Sequence, residues 1–249
     1  MKRPILALLG AILIPGPTLA QNPTILDAPT WGPRLQLTPF VGFAPAVSRF
    51  ERWSVTGPGG IATQNYDVEL GTGLIAGAAA EMTLIDRFAL IGSAAFITRG
   101  RTTEVAQDEG GTRFQHEGSN FLMAKAAIAL RMRESISELQ MHALSGTIFV
   151  GPAFVREMPK PDAFADNVLL QPLNYYGVNF GVDGTIALPF ERLSFQMGIE
   201  DYLLWWDAAE MARRNDQVFA NNGYTTTSRV ETDPSHNFLL RAGISFRLR

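Results

Sequence analysis

Long stretches of the chain alternate between apolar residues and small or polar ones, as β-strands do. The longest runs from Glu69 to Arg99 and predicts two strands that fold back at Ile85-Asp86-Arg87. The apolar face of this hairpin comprises Leu70, Thr72, Leu74, Ala76, Ala78, Ala80, Met82, Leu84, Phe88, Leu90, Ala94 and Phe96. The small or polar face comprises Gly71, Gly73, Ile75, Gly77, Ala79, Glu81, Thr83, Ala89, Ser93, Ala95 and Arg99. Such strands exceed the usual length of roughly 5–6 residues and suit tilted strands that cross a bilayer.

The same alternation predicts six more strands. They are Arg34–Ala44, Asn120–Arg133, Gly146–Arg156, Asn174–Leu188, Leu193–Trp205 and Asn237–Arg249. Long connections alternate with shorter ones along the chain. The long ones lie at about 45–68, 100–118, 157–173 and 207–236, and the shorter ones at 85–87, 134–145 and 189–192. Within the connection at 134–145, Ser135–Leu144 could form a short helix. This rhythm predicts an all-β fold, an eight-stranded antiparallel up-and-down transmembrane β-barrel with long loops outside and short turns in the periplasm.

The alternative is a soluble exported barrel whose apolar face is the core. Its second face would be rich in Lys, Glu and Asp, whereas here that face is mostly Gly, Ala, Ser and Thr. Small residues suit the narrow interior of an eight-stranded barrel, so we expect the apolar face to meet lipid. Among the aromatic residues near strand ends, Tyr202, Trp205 and Trp206 are predicted to lie at the outer membrane interface.

The N-terminus has the pattern of a secretory signal peptide. Lys2 and Arg3 precede an apolar run from Ile5 to Ile14, and a small residue, Ala20, offers a cleavage site. The predicted organisation is a signal peptide at 1–20, a periplasmic lead-in at 21–33 and the barrel at 34–249. Loss of the two basic residues takes the net charge from −3 to −5, which argues against a nucleic-acid partner. The chain has no cysteine, so it has no disulfide and no thiol nucleophile.

Charged residues recur on the inward parity and predict a lumen charge network. Its members are Glu81, Lys125, Arg131, Asp183, Glu200 and Arg241. Opposite charges in a narrow lumen should pair because an unpaired buried charge is costly, and Glu81 is expected to find a cation such as Arg131. A salt-bridged plug is favoured over a narrow gated pore in which the pairs rearrange.

The histidines bear on catalysis and metal binding. His116 and His236 lie on or beside predicted outer loops, near acids and serines, so a lipid-modifying enzyme with a Ser/His/acid site is an alternative. The third histidine of the chain is His142. No His-x-x-x-His pair is present, so neither a metal site nor a cofactor is expected. The Asp207–Arg214 stretch could touch lipopolysaccharide phosphates, although a solvated loop face is favoured.

Three segments resemble the small outer-membrane β-barrels of the OmpA/OmpX type. They are Gly71-Thr72-Gly73 through Gly77 to Glu81, Asp86-Arg87-Phe88-Ala89-Leu90, and Leu240-Arg241-Ala242-Gly243-Ile244-Ser245-Phe246-Arg247-Leu248. The resemblance implies a porin-like or surface-interacting monomer in a Gram-negative outer membrane, in contact with outer-membrane lipid and lipopolysaccharide. Catalysis is not expected, because outer-membrane lipid A deacylases resemble a His-x-Ser arrangement and no histidine here has Ser two residues on. The resemblance also implies insertion by the barrel-assembly machinery, which in this family reads an aromatic end. Phe246 has the outward parity of that aromatic residue, but the chain closes on Arg249.

Overall fold

A computed structural model of the chain describes residues 34–58, 63–85, 87–106, 112–134, 144–160, 172–188, 190, 192–221 and 223–248. The predicted signal peptide and lead-in lie outside these residues. So does the helix considered at 135–144, except for Leu144, which begins a strand. Among the described residues, no helix is both long and apolar enough to cross a membrane.

Ten strands and one helix make up the described fold. They are β1 (Arg34–Ala44), β2 (Val47–Thr56), β3 (Thr63–Ile85), β4 (Phe88–Ala106), β5 (Thr112–Glu134), β6 (Leu144–Pro159), β7 (Leu173–Ala187), β8 (Leu193–Trp205), α1 (Ala208–Asn221), β9 (Thr227–Val230) and β10 (Ser235–Arg247). Eight strands form a closed antiparallel ring, in the order β1, β3, β4, β5, β6, β7, β8, β10 and back to β1. The eight-stranded up-and-down barrel predicted from the alternation is therefore confirmed.

Beyond the ring, ordered structure replaces much of three predicted loops. β2 pairs with the first part of β3, and β9 pairs with β2. β4 and β5 extend to Ala106 and from Thr112, well beyond their predicted ends. The predicted loop at 207–236 contains α1 and β9. We call β2, β9, α1 and the extensions of β3, β4 and β5 the extracellular cap, because long connections face outward in barrels of this architecture.

Two β-bulges beside Gly100 separate the cap from the barrel. The register of β3 shifts between Leu70 and Gly73, and that of β5 shifts opposite Arg99 and Arg101. Gly118 lies in the second bulge with φ +99°, where an added Cβ would stand 2.2 Å from the Arg99 carbonyl oxygen. A bulge inserts an extra residue and so changes which face the next side chains occupy. Leu70, predicted on the outward face, is consequently buried at 1% exposure.

A belt of exposed apolar side chains encircles the ring, with members on all eight strands. It includes Leu35, Leu37, Val41, Phe43, Leu74, Met82, Leu84, Phe88, Leu90, Phe96, Leu122, Ile128, Met132, Ile148, Val150, Val178, Phe180, Val182, Met197, Ile199, Trp205, Phe238, Leu240, Ile244 and Phe246. A continuous apolar surface of this extent is incompatible with water and matches the lipid-facing band of a membrane barrel. The barrel wall therefore faces lipid.

Candidate functional site: the closed lumen and the extracellular cap

The lumen network is built from inward side chains of five strands that pair across the barrel. Near the periplasmic turns, Arg131 Nε donates to Glu81 Oε1 at 2.6 Å. Higher in the lumen, Lys125 Nζ pairs with Glu200, and Arg241 Nη2 donates to Asp183 Oδ2 at 2.6 Å. The structure thus brings all six predicted members together as opposite-charge pairs. Such pairing is what the cost of isolated buried charge demands.

An aromatic ring and an amide hold the upper part of this network. Phe149 lies under Lys125 Nζ at 3.9 Å from the ring centroid and is 5.9 Å from the Arg241 guanidinium carbon. Gly181 gives this ring its space, because an added Cβ would stand 2.7 Å from Phe149 Cζ. Gln196 Nε2 donates to Asp183 Oδ2 at 3.0 Å. Since the charged side chains are buried and fixed on several sides, this level of the lumen is filled.

An apolar plug fills the lumen between the network and the cap. Its buried members include Ile75, Ile97, Phe121, Val155, Leu204, Leu239, Phe50 and Met211. Phe50 comes from β2 and Met211 from α1, so the cap inserts side chains into the barrel mouth. Phe50 packs edge-on against Phe121, with ring centroids 5.9 Å apart. The barrel is therefore closed twice, by ion pairs and by apolar side chains.

Two of the three predicted interface aromatics face inward instead. Tyr202 is 1% exposed, because it shares the inward parity of Gln196 and Glu200. Trp206 follows the end of β8, packs edge-on against Tyr175 with centroids 6.2 Å apart, and donates through Nε1 to the Glu231 carbonyl at 3.1 Å. Only Trp205 of the three lies on the outward face, at 39% exposure. The predicted Tyr202 and Trp206 positions are wrong because strand-end aromatics serve a core as readily as an interface.

A second buried ionic group, here named the cap cluster, lies at the base of the cap. It consists of Glu51, Arg101, Ser119, Glu157 and Tyr175, on five different strands. Arg101 pairs with Glu157 and reaches Glu51 Oε2 at 3.3 Å. Tyr175 Oη contacts Glu51 and lies 2.7 Å from Glu157 Oε2, and Ser119 Oγ donates to Glu157 Oε1 at 2.6 Å. Burial raises the pKa of Glu51 to about 7, although the Arg101 guanidinium acts in the opposite direction.

The cap cluster is not evident from the alternation pattern, because Glu51 and Arg101 fall in stretches predicted as loops. A usable signal was present, since Arg101 continues the inward parity of Arg99 on β4. Arg99 itself is buried, donating through Nε to the Gly71 carbonyl at 2.9 Å and through Nη1 to Asn237 Oδ1 at 3.2 Å.

His236 lies on the outward face of β10 and has an acidic partner on β8. Its Nδ1 is 2.6 Å from Asp201 Oδ2, while the backbone N–H of Asn237 donates to Asp201 Oδ1 at 3.0 Å. Ser235, the neighbouring hydroxyl, is buried on the opposite face of the strand. His236 therefore has an orienting acid, but Ser235 is not placed as its nucleophile. The His116 side chain and His142 lie outside what the structure describes.

The Asp207–Arg214 stretch forms the start of α1 instead of a loop. Asp207 Oδ1 caps the helix by accepting the Glu210 N–H at 2.9 Å. Arg213 and Arg214 both bond Glu210, at 2.8 and 2.7 Å, and these side-chain hydrogen bonds lower the pKa of Glu210 to about 2. Both arginines predicted as candidates for lipopolysaccharide phosphates are thus already paired within the helix. Within the described ranges, no three His, Asp or Glu residues gather as a metal site.

Comparison with known proteins finds likeness in fold. No protein-family model matches the chain, and no curated protein sequence matches it. Among solved structures, the outer membrane protein OprG of Pseudomonas aeruginosa superposes with a TM-score of 0.54 at 12% identity, covering 87% of this chain and 96% of OprG. Ail, the attachment invasion locus protein of Yersinia pestis, superposes at 0.35 with 11% identity, covering 86% and 98%. The outer membrane protease OmpT of Escherichia coli superposes at 0.36 with 9% identity, covering 91% and 99%.

The likeness to OprG shows the barrel fold. The finer resemblance to the OmpA/OmpX type stays a prediction. Together with the lipid-facing belt, this likeness shows the fold of an outer-membrane β-barrel, with eight strands in a closed ring and a wall that faces lipid.

Proposed function

We propose that this outer-membrane barrel has a structural or surface-interaction role, carried by the extracellular cap, and that it neither conducts nor catalyses. The observation that supports the proposal most is the double closure of the lumen, by paired charges below and apolar side chains above. A pore would need a continuous polar path, whereas Phe50 and Met211 of the cap are buried at the barrel mouth. We further propose that the protein acts as a monomer, with lipid and lipopolysaccharide around its belt.

The absence of catalysis is part of this proposal. A serine nucleophile needs a base and an orienting acid in one place. The pair His236–Asp201 supplies the base and the acid, but Ser235 points to the other side of the barrel wall. This geometry favours a covering role for His236, which shields the Asp201 carboxylate on the outward wall.

Conductance of the purified protein in planar bilayers tests the proposal against a narrow gated pore. We expect no unitary current at any voltage, with a known porin as the positive control for insertion. A companion variant in which a short turn replaces α1 removes Met211 from the barrel mouth. Because the lumen network remains, that variant should also be silent. Stepwise currents from the intact protein would establish the pore instead.

A further inference from the structure

The cap cluster joins β2, which lies outside the ring, to four strands of the ring. Glu51 is the only member from β2. Its carboxylate meets Arg101 of β4 and Tyr175 of β7, which are 50 and 124 positions away in sequence. β2 also carries Phe50 into the apolar plug and pairs with β9. Contacts of Glu51 therefore connect the cap to the barrel wall.

The contacts of Tyr175 require one proton on the pair of carboxyl groups. Tyr175 Oη lies within hydrogen-bond distance of both Glu51 Oε1 and Glu157 Oε2. A tyrosine hydroxyl carries a single hydrogen and can donate to only one of them. The other contact is a hydrogen bond only if a carboxyl group is protonated and donates to Oη. With two bare carboxylates, one of these contacts would place two acceptors against each other.

The charge balance leads to the same proton count. Glu51 and Glu157 are 2% and 0% exposed, and among the residues that the structure describes the cation that pairs with them is Arg101. With one proton on the pair, the cluster is neutral. Without it, a net negative charge is buried, which is strongly unfavourable.

Glu51 is the group that holds this proton. Glu157 accepts from Arg101, Ser119 and Tyr175, and three donors stabilise a charged carboxylate. Glu51 has a longer contact with Arg101, at 3.3 Å, and its pKa of about 7 follows from its burial. The charged and titratable groups facing it in the described part of the chain are Arg101, Glu157 and Tyr175. Arg52, the next residue on β2, pairs with Asp67 at the surface.

We propose that the cap cluster is a proton-dependent latch, which holds the extracellular cap on the barrel when Glu51 is protonated and loosens it when Glu51 ionises. The latch rests on the proposed function, in which the extracellular cap carries the surface interaction. Its sign follows from linkage: a carboxyl group that is harder to ionise in the closed state stabilises that state at low pH. The stabilisation is complete below the ordinary glutamate pKa of 4.5 and is lost as the pH rises to about 7.

Hydrogen exchange of the full chain in lipid vesicles, read by mass spectrometry, measures the opening of the cap. After correction for intrinsic exchange, amides of β2 and β9 should exchange up to about 100-fold faster at about pH 7 than at about pH 5, and level off above that. Amides of β7 and β8 in the barrel wall should show no such change. Equal protection of β2 and β9 at both pH values overturns the latch.

Two substitutions test whether Glu51 is the carboxyl group whose ionisation loosens the cap. Glu51→Gln keeps the shape and the hydrogen bond but cannot ionise, so the cap of this variant should stay protected at every pH. Asp67→Asn is the matched control, because it removes a surface carboxylate of the cap and should keep the pH dependence of the wild type. A pH dependence that persists in Glu51→Gln refutes the assignment.

Infrared difference spectra of the wild type keep the latch testable if Glu51→Gln does not fold. A band from a protonated buried carboxyl group should disappear between about pH 5 and about pH 9, and its absence contradicts the latch. The latch and the proposed function fail separately, since exchange reports the cap and bilayer current reports the lumen.

Discussion

Replacing Lys125 by methionine tests whether ion pairing stabilises the lumen. The Lys125 and Glu200 side chains are 0% and 2% exposed, so Lys125→Met leaves a buried carboxylate without its main partner. Removing one member of a buried pair costs about 3–5 kcal/mol. Arg241 Nε lies 3.6 Å from Glu200 Oε1 and can take over part of the pairing. We therefore expect a loss of about 3 kcal/mol in the free energy of unfolding, at the low end of that range.

Urea unfolding of the barrel in vesicles, followed by tryptophan fluorescence, measures this loss. In the double variant Lys125→Met with Glu200→Met, no charge is orphaned and the Arg241–Asp183 pair remains, so most of the stability should return. Arg131→Met is the comparison variant: Arg131 is 19% exposed at the periplasmic end, although its partner Glu81 is only 8% exposed, so its loss should cost less than that of Lys125, about 2 kcal/mol. Equal losses for Lys125→Met and Arg131→Met, or a double variant as unstable as the single one, would refute the reasoning.

Three other substitutions probe the wall, the bulge and the outer face. Ile199→Arg puts a charge in the middle of the belt and should reduce barrel stability in vesicles by about 2–4 kcal/mol; a neutral result would mean that this face does not meet lipid. Gly118→Val must adopt a positive φ, and its Cβ would stand 2.2 Å from the Arg99 carbonyl oxygen. The free energy of unfolding should therefore fall by more than about 1–2 kcal/mol; an unchanged stability would contradict the bulge geometry. Lipopolysaccharide should stay chemically unchanged after incubation with either the wild type or His236→Ala. A deacylated product that the wild type forms and His236→Ala does not would show that the protein is an enzyme.

The alternation along the chain determined the ring. In a narrow barrel each strand must present one face to lipid and the other to the lumen, so the face of a residue can be counted along the strand. That rule placed Glu81, Lys125 and Asp183 inside, and the structure pairs each with an opposite charge. Applied consistently, it would also have placed Tyr202 in the lumen. The helix α1 had a local signal as well, in the Asp207 cap and the helix-forming residues that follow.

Only the tertiary structure decided the cap. A bulge changes strand parity without a clear mark in composition, so the burial of Leu70 on β3 could not be obtained by counting along the strand. The cap cluster joins residues up to 124 positions apart, and nothing local in the sequence shows that Glu51, Glu157 and Tyr175 meet. Partner choice depends on strand register and on the return of β2 and β9 over the barrel mouth, which are long-range properties. The sequence therefore determined which residues of the ring lie inside, and the three-dimensional packing determined which residues of the cap meet the ring, because those contacts depend on long-range register.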